Sequence, residues 1–183
     1  LILKLRSVLG TRDGFEKPSS QIDSPKPKRE FEVIEGGPDR DIIDYVPDGS
    51  PAAKALLAMK QAEPGFNVGE FLRGARGAYE MILMAFERGD LDSIRPFLSA
   101  DVEHGFAEVI DGRDREGKSV EANFIGLREL TIADATFDPA SRSGEITVRF
   151  LGELTSGTGD ESGTVVEGST TEMKSQRYVW RLA

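Results

Sequence analysis

The chain has 183 residues, no cysteine and a formal net charge of −9. That length carries one domain plus an extension, and the missing thiols exclude disulfides, thiol catalysis and thiolate metal sites. Charge is uneven: residues 1–30 hold seven Lys or Arg against four acids, a local +3 that leaves −12 for the rest, and so acidic a body repels phosphate backbones and argues against a nucleic-acid partner.

The opening run, LILKLRSVLG, is apolar but broken by Lys4 and Arg6. Ten residues fall short of the roughly 20 that span a bilayer. Leu and Ile followed by Lys4, Arg6 and Arg12 nevertheless match the point where a spanning helix leaves a membrane toward a compartment that retains positive charge. Residues 1–12 are therefore expected to be the end of an anchor with a basic juxtamembrane segment; a frayed helix turn is the alternative. Residues 13–50 read as a Pro-rich flexible linker, because most of the chain's nine prolines fall between residues 18 and 51 among charged residues. Two apolar islands, 31–34 and 42–46, interrupt it and are expected to act as spacers, docking on a partner or on the domain's own surface being the alternative.

A domain is expected over 51–183. Ser50 and Pro51 suit a helix cap and first position, and Ala52, Leu56 and Met59 form a stripe opposite Lys54, Lys60 and Gln61. The main helix follows from Asn67, with Phe71, Leu72, Tyr79, Ile82, Leu83 and Phe86 on one face. Asn67 can cap it, Glu70 can reach back to the cap, Gly89 can end it, and Asp90 can cap the next short helix. A third helix from about Asp101 to Lys118 starts at Ser99 or Asp101. The pattern then turns to alternation over 120–137, 144–155 and 165–182, with a turn at 138–141 and a loose hairpin at 156–164. Helices first and an antiparallel meander afterwards define an α+β domain in which a curved sheet wraps a helical layer.

Chemistry is sparse. His104, the only histidine, stands four residues before Glu108, a spacing that suits a surface ion pair better than a metal site. The glycines from Gly157 to Gly163 join two strands and lack phosphate-loop spacing. No nucleophile elbow or zinc-protease motif is present, so neither cofactor nor metal is expected.

The segments LKLRSVLGTRDG, MKQAEPGFNVGEFLRGARGAYEMILMAFERGDLDSIRPFLSADVEHGF and IGLRELTIADATFD with ITVRFLGELTS together resemble bacterial members of the Tim44-like family, relatives of a peripheral subunit of the mitochondrial inner-membrane import machinery. The resemblance covers residues 3–14 and most of 56–154. It implies a nuclear-transport-factor-two-like cone of helices and curved antiparallel sheet with an apolar pocket, and a noncatalytic protein that binds membranes and recruits partners. Relatives carry an N-terminal membrane helix ending in a sequence like LRSVLG and continue past the counterpart of Trp180 into one further strand.

The expected role is thus a membrane-associated adaptor on the cytoplasmic side of a bacterial inner membrane, its partners an inner-membrane protein complex, a translocating protein or anionic lipid. Phe71, Tyr79, Ile82, Leu83, Phe86 and Phe97 are expected in the core or lining the pocket. Lys54, Leu56, Leu57, Met59 and Lys60 are expected to meet the membrane or a partner, the alternative being that the stripe of Ala52, Leu56 and Met59 simply packs on the next helix. Two rivals are weighed: an isomerase or dehydratase using an inward carboxylate or histidine in the cone, and an assembly module that dimerises through its sheet.

Overall fold

A computed structural model of the chain describes residues 5–13, 37–160 and 162–183, with 7–13 as backbone. In chain order the elements are strand β1 (Leu5–Asp13), helices α1 (Arg40–Ile43), α2 (Pro51–Ala62), α3 (Val68–Arg88) and α4 (Leu91–Ile94), a 3₁₀ turn (Arg95–Phe97), helix α5 (Ala100–Arg115), and strands β2 (Ser119–Asp138), β3 (Ser143–Gly159) and β4 (Val165–Leu182). The five helices pack on one curled antiparallel sheet ordered β1-β4-β3-β2, the α+β cone.

Local chemistry sets the helix ends. Ser50 Oγ accepts from the Ala53 N–H at 3.1 Å, and the Asn67 side chain accepts from the Glu70 N–H at 2.8 Å, each meeting a donor the helix cannot satisfy itself. The Glu70 carboxylate pairs with Arg73 one turn on. Gly89 ends α3 in the left-handed conformation at φ 75°. Asp90 Oδ1 then accepts from the Ser93 N–H at 3.3 Å, and Ser99 caps α5.

The sheet's inner face carries Ile146, Val148, Phe150, Leu154, Trp180 and Leu182, all buried, at the two-residue spacing of one side of a strand. Tyr79 projects from the middle of α3 into their centre, stacked on Phe150 with ring centroids 4.7 Å apart and 5.0 Å from Trp180. It fits because residue 152 is glycine: a Cβ there would run into the Tyr79 hydroxyl and ring. Among the described residues the Tyr79 hydroxyl and Trp180 Nε1 have no hydrogen-bond partner, and burial drives the hydroxyl pKa well above its usual value.

Two expectations are corrected here. Residues 5–13, expected as the end of an anchor with a basic juxtamembrane segment or as a frayed helix turn, form a strand that pairs along β4, from Leu5 opposite Leu182 to Asp13 opposite Ser175; Leu5 is 1% exposed and its carbonyl accepts from the Ser99 N–H at 3.0 Å. Burying Leu5 and pairing the backbone outweigh the cost of fixing the segment. Within the expected linker, residues 14–36, with the island at 31–34, lie outside the described residues, but the island at 42–46 is docked: Ile42 and Val46 belong to the core. β2, the outer edge, pairs with β3 through three breaks in register, at Phe124/Gly126, Leu127/Glu129 and Ile132/Asp134.

Candidate functional site

An apolar cleft of about 570 Å³ opens where the end of α2 and the start of α3 meet the β2–β3 turn. Pro64 and Gly65 reverse the chain after α2, and the Phe66 N–H closes that turn on the Glu63 carbonyl at 2.9 Å. Phe66 and Phe71 then face each other at 6.1 Å. Phe137, Ile146 and Leu182 supply the sheet wall and Met59 the helical one. Gly144 lets the Met59 thioether lie directly against the strand, since a Cβ there would come within 2.8 Å of its terminal methyl.

The polar groups of the cleft sit at its rim. Arg142, left-handed at φ 54°, donates through Nη2 to the Ala62 carbonyl at 2.6 Å, filling an acceptor that the end of α2 leaves open. Glu63 turns back on its own loop, accepting from the Gly65 N–H at 3.4 Å. The arrangement encloses apolar matter and offers one guanidinium beside it. Among the described residues no group of three or more His, Asp or Glu could hold a metal ion, and His104 pairs with Glu108 at 3.5 Å on the exposed side of α5.

Beside the cleft, α1 is fastened across the start of α3. The Asp41 carboxylate accepts from the Val68 N–H at 2.8 Å and the Gly69 N–H at 3.1 Å, occupying the positive end of a 21-residue helix. Lys60 Nζ lies 3.0 Å from Asp41 and 2.6 Å from Asp39. Burial alone would raise the Asp41 pKa, but the Val68 N–H, Lys60 and the Gly69 N–H outweigh it and hold it below the usual carboxylate value. Burial likewise disfavours charge on Lys60, yet bonds to Asp39 and Asp41 raise its pKa.

Of the six residues expected in the core or pocket, Phe71 lines the cleft, while Tyr79, Ile82 and Leu83 are buried in the core. Phe86 is half-buried with its ring 4.5 Å from that of Phe106 and under the Arg113 guanidinium, and Phe97 packs at the core's margin. The expected contact helix divides. Lys54 and Leu57 are exposed on α2, whereas Leu56 is fully buried and Met59 is 7% exposed. That corrects their assignment to a membrane face: α2 turns its stripe onto β2, where the sheet removes it from water. Lys60 is held by Asp39 and Asp41. Arg6 is exposed on β1; Lys4 and the Arg12 side chain lie outside the described residues.

The cleft residues that the sequence reading did not single out are Phe66, Phe137, Arg142, Ile146 and Leu182. Strand alternation puts the last two on the inner face, but only the pairing of Ile146 with Leu182 brings them to one place. Leu5 opposes Leu182 from the other side, so the start of β1 and the cleft share one end of the sheet.

No helix among the described residues is long and apolar enough to cross a membrane. A family model for the Tim44-like domain matches residues 52–183. Among curated proteins none matches the chain.

Proposed function

The chain belongs to the Tim44-like domain family, and from that premise we propose that it is a noncatalytic, membrane-associated adaptor related to protein translocation or membrane-complex assembly, which holds lipid or an apolar segment of a protein partner in the cleft. The observation that carries this reading is the cleft's make-up: Met59, Phe66, Phe71, Phe137, Ile146 and Leu182 around an apolar space with Arg142 at the rim. Apolar walls favour acyl or aliphatic groups, and a guanidinium beside them favours a phosphate or carboxylate head. The common end of β1 and the cleft supports the same reading, since a membrane tether entering at β1 would turn the opening toward the bilayer. The partner class is an inner-membrane complex or a translocating protein, met on the cytoplasmic side.

Isomerase or dehydratase chemistry in a cone needs a carboxylate or histidine deep in the cavity. Among the described residues the one acidic side chain in the lining is Glu63, which accepts from the N–H of Gly65 in its own loop.

Flotation of the full chain with vesicles tests the proposal. Phosphatidylglycerol–phosphatidylcholine vesicles are expected to carry the protein upward, and Ala62→Trp, which fills the cleft from α2, is expected to cut the bound fraction severalfold. Absence of the protein from the vesicle fraction, or full binding by Ala62→Trp, would remove the cleft from the mechanism.

A further inference from the structure

The fastening of α1 gives Lys60 a second meaning. α2 contains Lys54 and Lys60 and no acid, while residues 38–48 contain four Asp against one Arg. With α1 in place the two segments together are net negative; with α1 lifted, α2 alone is a cationic helix. α1 also covers apolar surface. Ile42 and Ile43 lie with Ala53, Lys54 and Leu57 around one shallow groove, and Ala53 is 7% exposed beneath them. Leu57, beside that groove, is already 45% exposed.

We propose that residues 38–46 are a displaceable strap, held shut by the Lys60 pairs with Asp39 and Asp41, which anionic phospholipid headgroups open by taking Lys60 for themselves. The inference rests on the membrane-surface reading above and adds its control. Charge complementarity selects the occupant: an ammonium on a helix that also carries Lys54 and holds no acid, within a body of the opposite sign, matches a sheet of phosphates. Among the described residues the strap's anchors include the Asp39 and Asp41 carboxylates on Lys60, the Asp41 bonds to the Val68 and Gly69 N–H groups, and the buried Ile42 and Val46 side chains. Opening exposes Ala53, with Leu57 and the Lys54 stem beside it, to the interface. Phe71 and Met59, whose burial does not depend on the strap's groove, stay where they are.

The absence of cysteine makes the test direct. Ala53→Cys in the full chain places a single thiol under the strap, and its rate of reaction with a maleimide reads strap opening. The thiol is expected to react slowly in buffer and with phosphatidylcholine vesicles, and about tenfold faster or more with phosphatidylglycerol vesicles, as local opening becomes the bound state. Asp39→Asn and Lys60→Gln, made separately on that background, each remove ion pairing without touching the Asp41 bonds to α3, and each is expected to speed labelling roughly two- to fivefold without vesicles. Ala75→Cys, on the buried face of α3 and fully enclosed, reports whole-domain opening and is expected to stay protected throughout.

Equal rates in Asp39→Asn, Lys60→Gln and the parent would overturn the latch. So would vesicle-bound protein whose Ala53→Cys thiol stays protected, or simultaneous labelling of Ala75→Cys. Failure of the protein to bind phosphatidylglycerol vesicles at all would instead sink the membrane reading and the trigger with it, while the vesicle-free variants still report whether these ion pairs hold the strap.

Discussion

The two ends of α3 sit in opposite surroundings. At its start, Phe66 and Phe71 face the apolar cleft and Asp41 binds the first N–H groups. At its other end Glu87, 4% exposed, lies 3.4 Å from the Ser156 hydroxyl and 3.9 Å from the Arg113 guanidinium, beside a polar notch of about 260 Å³. Tyr79 with Phe150 and Trp180 fills the space between them. The difference teaches that an aromatic plug separates the two ends of the cone, leaving a mainly apolar cleft beside the β2–β3 turn and a polar notch at the other end.

Breaking the plug should have the largest effect. Tyr79→Ala is expected to cost about 3–5 kcal/mol, the range for emptying a large buried aromatic site, read as a lower denaturation midpoint. Tyr79→Phe sharpens the point: it deletes a hydroxyl without a partner among the described residues, so stability should hold or rise, and a loss above about 1 kcal/mol would mean that the hydroxyl is satisfied after all.

The polar end comes next. Arg113 donates to the Phe86 carbonyl at 3.2 Å and stands over the Phe86 ring, so Glu87→Ala leaves it without its buried counter-charge and is expected to cost about 1–3 kcal/mol in equilibrium unfolding. Glu87→Gln, which keeps the volume and the Ser156 contact, should cost less. Equal losses would assign the effect to packing instead of charge.

The smallest effect is the pH response of the strap. Asp41 has a lowered pKa, so its contribution is complete above the ordinary value of 3.8 and is lost as pH falls below that value through the folded one. Lys60 has a raised pKa, so its contribution is complete below the ordinary 10.5 and is lost as pH climbs through its folded value. Labelling of Ala53→Cys, corrected for the thiolate fraction, should therefore be flat between those limits and faster outside them. A step near neutrality would point to a different hold on α1.

What could be read in the sequence was local. Asn67, Gly89, Asp90 and Ser50 fix helix ends through bonds to atoms a few residues away, and alternation along β3 and β4 fixes which side chains face inward. What could not be read was distant. β1 becomes a strand because Leu5 meets Leu182, and no periodicity within LILKLRSVLG announces a partner at the far end of the chain. α1 is held by Asp41 reaching 27 residues on to Val68, so a proline-flanked stretch that reads as tether becomes part of the domain. Lys60 shows the same limit: an amphipathic pattern placed it on an open face, and carboxylates from another segment cover it. The cleft depends on Arg142 in a left-handed turn bonded to Ala62, 80 residues back, and was legible only as a turn.

The interrupted pairing of β2 bears on how copies of this protein can meet. With its rhythm broken at three places, that margin presents no unbroken run longer than six residues to a newcomer, and each irregularity twists its free amides and carbonyls out of line. Breaks of this kind work against sheet-to-sheet pairing of two molecules along that margin, so crowding at high density is less apt to stitch the protein into fibres from that side.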